Sequence, residues 1–364
     1  MINDMSEETA HKNPIKGRGI ASNEASRFTE NHTEAVDDGW FEQADECQNR
    51  VATQILVDSS KTILTANNSP DIPYDLSINP YKGCEHGCPY CYARPTHAYL
   101  DLSPGLDFET RIFSKPDAAA LLNRAFDKPG YRPQAIAIGA NTDPYQPIER
   151  KLQITRQLLE VFQRYKHPLT VITKSAMIER DIDILSELAK HNLVQVALSV
   201  TTLDRELCRR LEPRATAPQR RLQAIRRLTD AGIPVTLLFA PVIPALNDNE
   251  VESVLEAAHE AGIHSAAYVM LRLPHEVKVL FQEWLQAHYP LKAKHIMNIV
   301  RELGGGKEYD SRFGTRQVGQ GVYAELFAQR FRLKCKKLGI NGRSVPLDTS
   351  LFKRPGETEQ MEMF

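Results

Sequence analysis

Residues 193–200 read LVQVALSV and residues 233–240 read IPVTLLFA. Each is a near-continuous apolar run, too short for a helix and bounded by polar or turn residues, which is the pattern of a strand buried on both faces. Two amphipathic helical patterns lie between them, at 204–211 and 218–231. A buried strand, a helical crossover and a second buried strand form a parallel pair. Upstream, LTVIT at 169–173 with a helix at 179–191, and QAIAIG at 134–139 with a helix at 149–165, repeat the unit; SAAYVML at 265–271 repeats it downstream.

A further strand near 75–81 brings the count to about six units. The expected fold class is therefore α/β, a partial (β/α)6 barrel, because six units cannot close an eight-stranded barrel; its site is expected at the C-terminal strand ends. Residues 108–114 read as an extra strand inside the first crossover, and 51–65 as one or two strands against the barrel. Three regions follow: a polar arm at 1–50, acidic in its second half and expected to be disordered; the barrel at 51–290; and a helical cap at 291–364, broken by glycines at 304–306 and between 314 and 321.

The chain has 364 residues with 45 Lys and Arg against 46 Asp and Glu, so net charge gives no general pull toward nucleic acid or membrane. The start lacks a basic region followed by an apolar stretch, and the longest apolar run, near 235–246, is interrupted by Pro241 and Pro244. No secretory signal or membrane span is expected, which points to a cytoplasmic, reducing setting. Six cysteines in a chain of this length are no disulfide framework, yet three fall within eight residues.

Those three stand in NPYKGCEHGCPYCYARP, residues 79–95, spaced C-x3-C-x2-C as Cys84, Cys88 and Cys91. Three soft thiolates on one loop suit three irons of a cubane cluster and leave the fourth without a nearby ligand. Structural zinc is the rival, with His86 or His97 as fourth donor; neither sits at a usual knuckle spacing. The corresponding rival function is a zinc-stabilised nucleic-acid-binding module without catalysis. Further along, GANTDPYQPIER at 139–150 sets Asn141, Thr142 and Asp143 at a strand tip, where they read either as acceptors for an ammonium group or as a plain Asx turn before Pro144. Lys174 ends the next strand and Ser199 the one after, each a ligand contact or an ordinary strand-end residue.

The cysteine run, with Tyr90 before its third cysteine, resembles the signature of the radical S-adenosylmethionine superfamily, whose partial barrel carries the cluster loop after its first strand. The resemblance implies a 4Fe-4S cluster on Cys84, Cys88 and Cys91, with S-adenosylmethionine chelated at the open iron. An electron from an external donor of flavodoxin or ferredoxin type then yields a 5'-deoxyadenosyl radical that takes hydrogen from a substrate. It also implies cofactor contacts at Tyr90, at Asn141, Thr142 and Asp143 for the methionine amino group, at Lys174 for the carboxylate, at Ser199 for the ribose and at Ala240 for the adenine. A narrower similarity, over residues 76–245, is to spore photoproduct lyase and its relatives. It rests on Tyr90 to Tyr92, Thr142-Asp143, Thr173-Lys174, LSV at 198–200 with Glu212 downstream, Arg221, and AGIPVTLLFAPVIP from Ala231.

One position departs from that branch. Where the lyase has a cysteine that returns hydrogen to the product radical, this chain has Ala140. It is expected to be a relative of the lyase and not the lyase, with Tyr90 and Tyr92 as catalytic relay candidates. Arginines between Arg205 and Arg227 read as a phosphate-facing stripe or as ordinary helix surface, so a nucleic-acid substrate is one candidate. Nothing in the sequence turns Cys208 inward.

Overall fold

The computed structural model describes residues 15–28, 51–342 and 346–356. The acidic half of the expected arm, from Glu30 to Glu46, and Cys47 lie outside the described residues. In chain order the elements begin with β1 (Gln54–Val57), β2 (Leu64–Ala66), β3 (Leu76–Ile78) and β4 (Tyr81–Lys82). After the cysteine loop come α1 (Asp107–Thr110), β5 (Arg111–Ser114) and α2 (Ala118–Phe126). The repeating units follow: β6 (Ile136–Ile138) with α3 (Glu149–Leu152) and α4 (Ile154–Arg164), then β7 (Leu169–Thr173) with α5 (Ile182–Lys190). Next are β8 (Val194–Ser199) with α6 (Arg205–Leu211) and α7 (Pro218–Asp230), and β9 (Val235–Val242) with α8 (Val251–Glu260). The chain continues through β10 (Ser265–Met270), α9 (Val277–His288), α10 (Pro290–Leu303) and α11 (Val322–Leu338).

The main sheet runs β10-β9-β8-β7-β6-β3-β2. Its neighbours from β3 to β10 are all parallel, and β2 adds an antiparallel edge. Six parallel strands in chain order, with the β10 and β2 edges unpaired to each other among the described residues, are the expected partial barrel. Val196 and Leu198 of β8 and Leu237 and Phe239 of β9 are buried, in one core with Leu158 and Phe162 of α4, Leu185 of α5, Leu228 of α7 and Val254 of α8. Each such side chain contributes about 1.5–3 kcal/mol when fully removed from water, which fixes the helices on the sheet. Among the described residues no helix is long and apolar enough to cross a membrane.

Three local expectations change. The helix expected at 149–165 is two helices, because Gln153 takes φ 52° and the Thr155 amide is received by the Glu149 carboxylate at 3.1 Å instead of continuing the helix. The strand expected at 108–114 starts only at Arg111: Asp107 to Thr110 form one helical turn whose first amide, that of Asp107, donates to Asn23. The third change concerns the arm. Its residues 15–28 pack on the protein, with Arg18, Ile20, Ser22 and Ser26 buried. β1, β5 and β4 form a separate three-stranded sheet that leads directly into the cysteine loop. At the C-terminal end, α9 and α10 supply Phe281, Trp284, Ile296 and Met297 to a second core that reaches Cys88 and Tyr90. α11 instead joins the barrel side, its Phe327 meeting Tyr268 edge-on at 5.1 Å.

Candidate active site

The cysteine loop leaves β4 at the C-terminal side of β3 and is held by its backbone. Cys84 donates to the Phe108 carbonyl at 2.9 Å. Gln146, fully buried, accepts from the Glu85 amide at 2.9 Å and donates to the Gly83 carbonyl at 3.2 Å. Arg94, also fully buried, donates from Nε to the Cys88 carbonyl at 2.8 Å and pairs with Glu109. Neither residue stands out from composition, but each lies inside a stretch already singled out, Arg94 within 79–95 and Gln146 within 139–150.

On this frame Cys84 and Cys88 are buried, Cys91 is half-buried, and none is in a disulfide. Burial first, then the Glu212 carboxylate, pushes the Cys88 thiol above its ordinary range, and burial with Cys84 raises Cys91 to about 11. Thiols that resist losing a proton in an apolar setting are protonated until a metal replaces the proton. The two candidate histidines are engaged elsewhere. His86 lies between Asp143, 3.4 Å from its Nδ1, and Cys84; burial opposes its charge, but Asp143 and then Cys84 raise it to about 10. His97 directs Nε2 at the Arg111 carbonyl at 3.0 Å, and burial lowers it to about 4.

Three soft donors free of disulfides on one largely buried loop fit a 4Fe-4S cluster, which takes one thiolate at each of three irons.

The β6 end is an Asx turn capped from the cysteine stretch. Asn79 Oδ1 accepts the amides of Asn141 at 2.8 Å and Thr142 at 3.3 Å. Thr142 donates its hydroxyl to the Tyr81 carbonyl at 2.7 Å. Asp143 accepts from the Thr173 hydroxyl at 2.7 Å, the Lys174 amide at 2.7 Å and the Tyr145 amide at 2.8 Å, besides facing His86. Burial opposes its ionisation, yet His86 and these donors hold its carboxyl below the usual range. Thr142 and Asp143 are therefore occupied by the protein, and Asn141 is the member of the trio whose side chain makes no bond among the described residues.

The next three strand ends meet at one ammonium. Lys174 Nζ donates to Ser199 Oγ at 2.7 Å and to the Ala240 carbonyl at 3.1 Å, stands 3.3 Å from Glu212 Oε1, and lies 5.8 Å above the Tyr90 ring. Glu212 also accepts from the Tyr90 and Thr201 hydroxyls and pairs with Arg221, which donates to the Ser199 carbonyl at 2.9 Å. Although burial disfavours its charge, Arg221 and then Lys174 hold Glu212 far below the carboxylate range. Tyr90, Lys174, Ser199 and Ala240, all expected at the site, are thus in one network. Glu212 is its hub, and Thr201 is the member that sequence reasoning missed.

Tyr92 stands apart and is 46% exposed. Its hydroxyl donates to the carbonyl of Ala140, and Arg272, two residues past β10, lies 5.4 Å over its ring. Cys208 does turn inward: its Sγ is buried 3.8 Å from Glu212 and 3.6 Å from Arg221, and burial raises it to about 12. The arginine stripe dissolves into internal pairs. Arg210 pairs with Glu206, Arg214 with Glu85, Arg220 and the exposed Arg227 with Glu179, and Arg221 with Glu212, while Arg226 donates to the Glu260 carbonyl and, with Arg205 and Arg209, is exposed.

Residues 78–258 match the family model described as Radical SAM superfamily. An uncharacterized protein of Mycobacterium tuberculosis is 34% identical over 238 residues, 65% of this chain and 69% of the relative. An uncharacterized protein of Methanocaldococcus jannaschii is 26% identical over 222 residues, 61% of this chain and 79% of the relative. Among solved structures, spore photoproduct lyase complexed with dinucleoside spore photoproduct superposes with a TM-score of 0.54 at 15% identity, over 79% of this chain and 80% of that chain. The chain belongs to the radical SAM superfamily. Its fold is that of spore photoproduct lyase, and it is an enzyme of the radical SAM class.

Proposed function

We propose that the chain cleaves S-adenosylmethionine reductively and uses the resulting 5'-deoxyadenosyl radical to take a hydrogen atom from a substrate held at the barrel mouth. The observation that carries this reading is the meeting of Lys174, Ser199 and Ala240 from three successive strand ends, over the ring of Tyr90 in the cysteine loop. Cys84, Cys88 and Cys91 would hold a 4Fe-4S cluster, whose chemistry when bound is to deliver one electron to the sulfonium. Lys174 would meet the methionine carboxylate by exchanging its bonds to Ser199 and the Ala240 carbonyl while keeping Glu212 beside it, and Asn141 would offer its side-chain oxygen to the amino group. Ser199 and the Ala240 backbone line the ribose and adenine. Asp143 acts through others, fixing the Lys174 backbone and His86. Tyr90, committed to Glu212, positions Lys174, so of the two tyrosines it is Tyr92 that faces the mouth. An external donor of flavodoxin or ferredoxin type supplies the electron.

Lys174→Ala removes a partly desolvated charge, and loss of such a partner costs about 2–5 kcal/mol, so cofactor affinity is expected to fall at least about 30-fold. Asp143→Ala is expected to weaken binding less, by displacing the Lys174 amide without removing the charge. Equilibrium binding of S-adenosylmethionine checks both; unchanged affinity in Lys174→Ala would remove the assignment of the third strand end. The function itself is tested with deuterated candidate substrates under anaerobic, reducing conditions. Deuterium appearing in 5'-deoxyadenosine identifies the substrate. Cofactor cleavage with unlabelled product across nucleic-acid and peptide substrates would contradict radical transfer to either class.

A further inference from the structure

The segment read as part of a disordered arm lies against the outer side of the cysteine loop. Arg18 donates to the Glu109 carbonyl at 2.8 Å and to the Val51 carbonyl at 2.7 Å. The next two amides, of Gly19 and Ile20, donate to the Glu109 carboxylate at 3.0 and 3.1 Å. That carboxylate is the partner of Arg94, whose Nε holds the Cys88 carbonyl. Segment and loop are therefore bound to the two sides of one buried ion pair.

They are also in backbone contact. A Cβ on Gly19 would sit 1.6 Å from the Gly87 carbonyl oxygen, and a Cβ on Gly87 would sit 2.8 Å from the Glu109 carboxylate and 3.1 Å from the Gly19 nitrogen. Only glycine at both positions permits this approach, at the residue immediately before Cys88. Beyond it the segment is tied at further points. Ser22 accepts the Leu106 amide at 2.9 Å and donates to Glu283 at 2.9 Å, Asn23 donates to Asp107 at 3.1 Å, and Arg27 pairs with Glu276 at 3.1 Å. These contacts join the cysteine loop and α1 to α9.

We propose that residues 15–28 are a strap that closes the outer side of the cysteine loop and forms part of the cluster site, with Arg18 and Gly19 as positioning residues. The inference rests on the reading of that loop as a 4Fe-4S site and adds to it a lock supplied from far upstream in the chain. The strap keeps water and dioxygen from the loop around Gly87 and restrains the carbonyl and amide groups that surround the sulfurs. Groups outside the ligand shell that orient it commonly change metal affinity by about 10–100-fold when lost. Burial and hydrogen bonding also set cluster potential, and freer access of water favours the more highly charged reduced form.

The test compares full-length wild type with Gly19→Ala, which intrudes a methyl, and Arg18→Ala, which removes bonds without intrusion. Glu24→Ala serves as control, because that carboxylate makes no bond among the described residues. Each is reconstituted anaerobically with iron and sulfide, and hydrogen exchange at the Gly19 and Ile20 amides reports whether the strap is released. With release, the cluster absorbance in air is expected to decay about tenfold faster, and the midpoint potential to rise, in both variants but not in the control. Lifetimes and potentials equal to wild type, with faster exchange at those amides, would overturn the strap and leave the cluster reading intact. Unchanged exchange in both variants would also overturn it, since the contacts would then not hold the segment. A wild-type chain that takes up no cluster would overturn both.

Discussion

Replacing Cys84, Cys88 and Cys91 together by Ala is expected to abolish iron-sulfur binding, while Cys47→Ala, Cys208→Ala and Cys335→Ala each retain about four irons and four sulfides per chain. The triad stands on one loop with no disulfide to release, and its backbone is held by Gln146, Arg94 and the Phe108 carbonyl, none of which uses a thiol side chain. The triple variant should therefore keep its fold, checked by circular dichroism, and lose only its donors. Cys208 is enclosed by Glu212 and Arg221, and Cys335 is buried with Phe327 and Phe331 in the barrel core. Iron and acid-labile sulfide analysis decides the matter. Full cluster content in the triple variant, or stoichiometric zinc in anaerobically prepared wild type, would refute the assignment.

The second large effect is a missing activity. Offered the spore photoproduct under strict anaerobiosis, the protein is expected to cleave its cofactor without efficient repair. Repair leaves a thymine-type radical that must receive a hydrogen atom from a positioned donor. A thiol S–H gives one readily; the methyl of Ala140 does not, and each 1.4 kcal/mol added to a barrier costs about tenfold in rate. Tyr92, proposed as a relay, hydrogen-bonds the Ala140 carbonyl, but a relay cannot replace the missing donor. Cys208 offers no substitute, because its buried thiol would have to displace Glu212 to meet a substrate. Thymine formed per 5'-deoxyadenosine is expected to be lower than one by about two orders of magnitude, and Cys208→Ala should not change it. Many repair turnovers by the wild type would show that another donor serves.

Much of this was legible in the sequence because buried parallel strands announce themselves locally. LTVIT forms a strand over the same five residues that carry the pattern, and LVQVALSV loses only its end residues. That Lys174, Ser199 and Ala240 come together was legible because a strand-end residue's place follows from its strand. What escaped depends on long-range partners. The break at Gln153 requires Glu149 to turn back on Thr155, and the helical turn before β5 requires Asn23 from far upstream. Residues 15–28 looked like solvated arm because the partners of their polar side chains lie far along the chain: the Glu109 carbonyl for Arg18, Glu283 for Ser22, Asp107 for Asn23 and Glu276 for Arg27. What the sequence did not show at Asp143 is its set of partners within the protein, the Thr173 hydroxyl, the Tyr145 and Lys174 amides and His86. The arginine stripe likewise could not be resolved into pairs until Glu85, Glu179 and Glu212 were placed beside it.

Thiol triad and strand ends are proposed to form together one S-adenosylmethionine-cleaving site. The most direct measurement is the yield of methionine and 5'-deoxyadenosine when the reconstituted wild type is incubated with dithionite and S-adenosylmethionine, without substrate. Slow formation of both in equal amounts is expected, lost in the triple cysteine variant and strongly reduced in Lys174→Ala. Intact S-adenosylmethionine after prolonged incubation with a fully loaded, reduced wild type would contradict it.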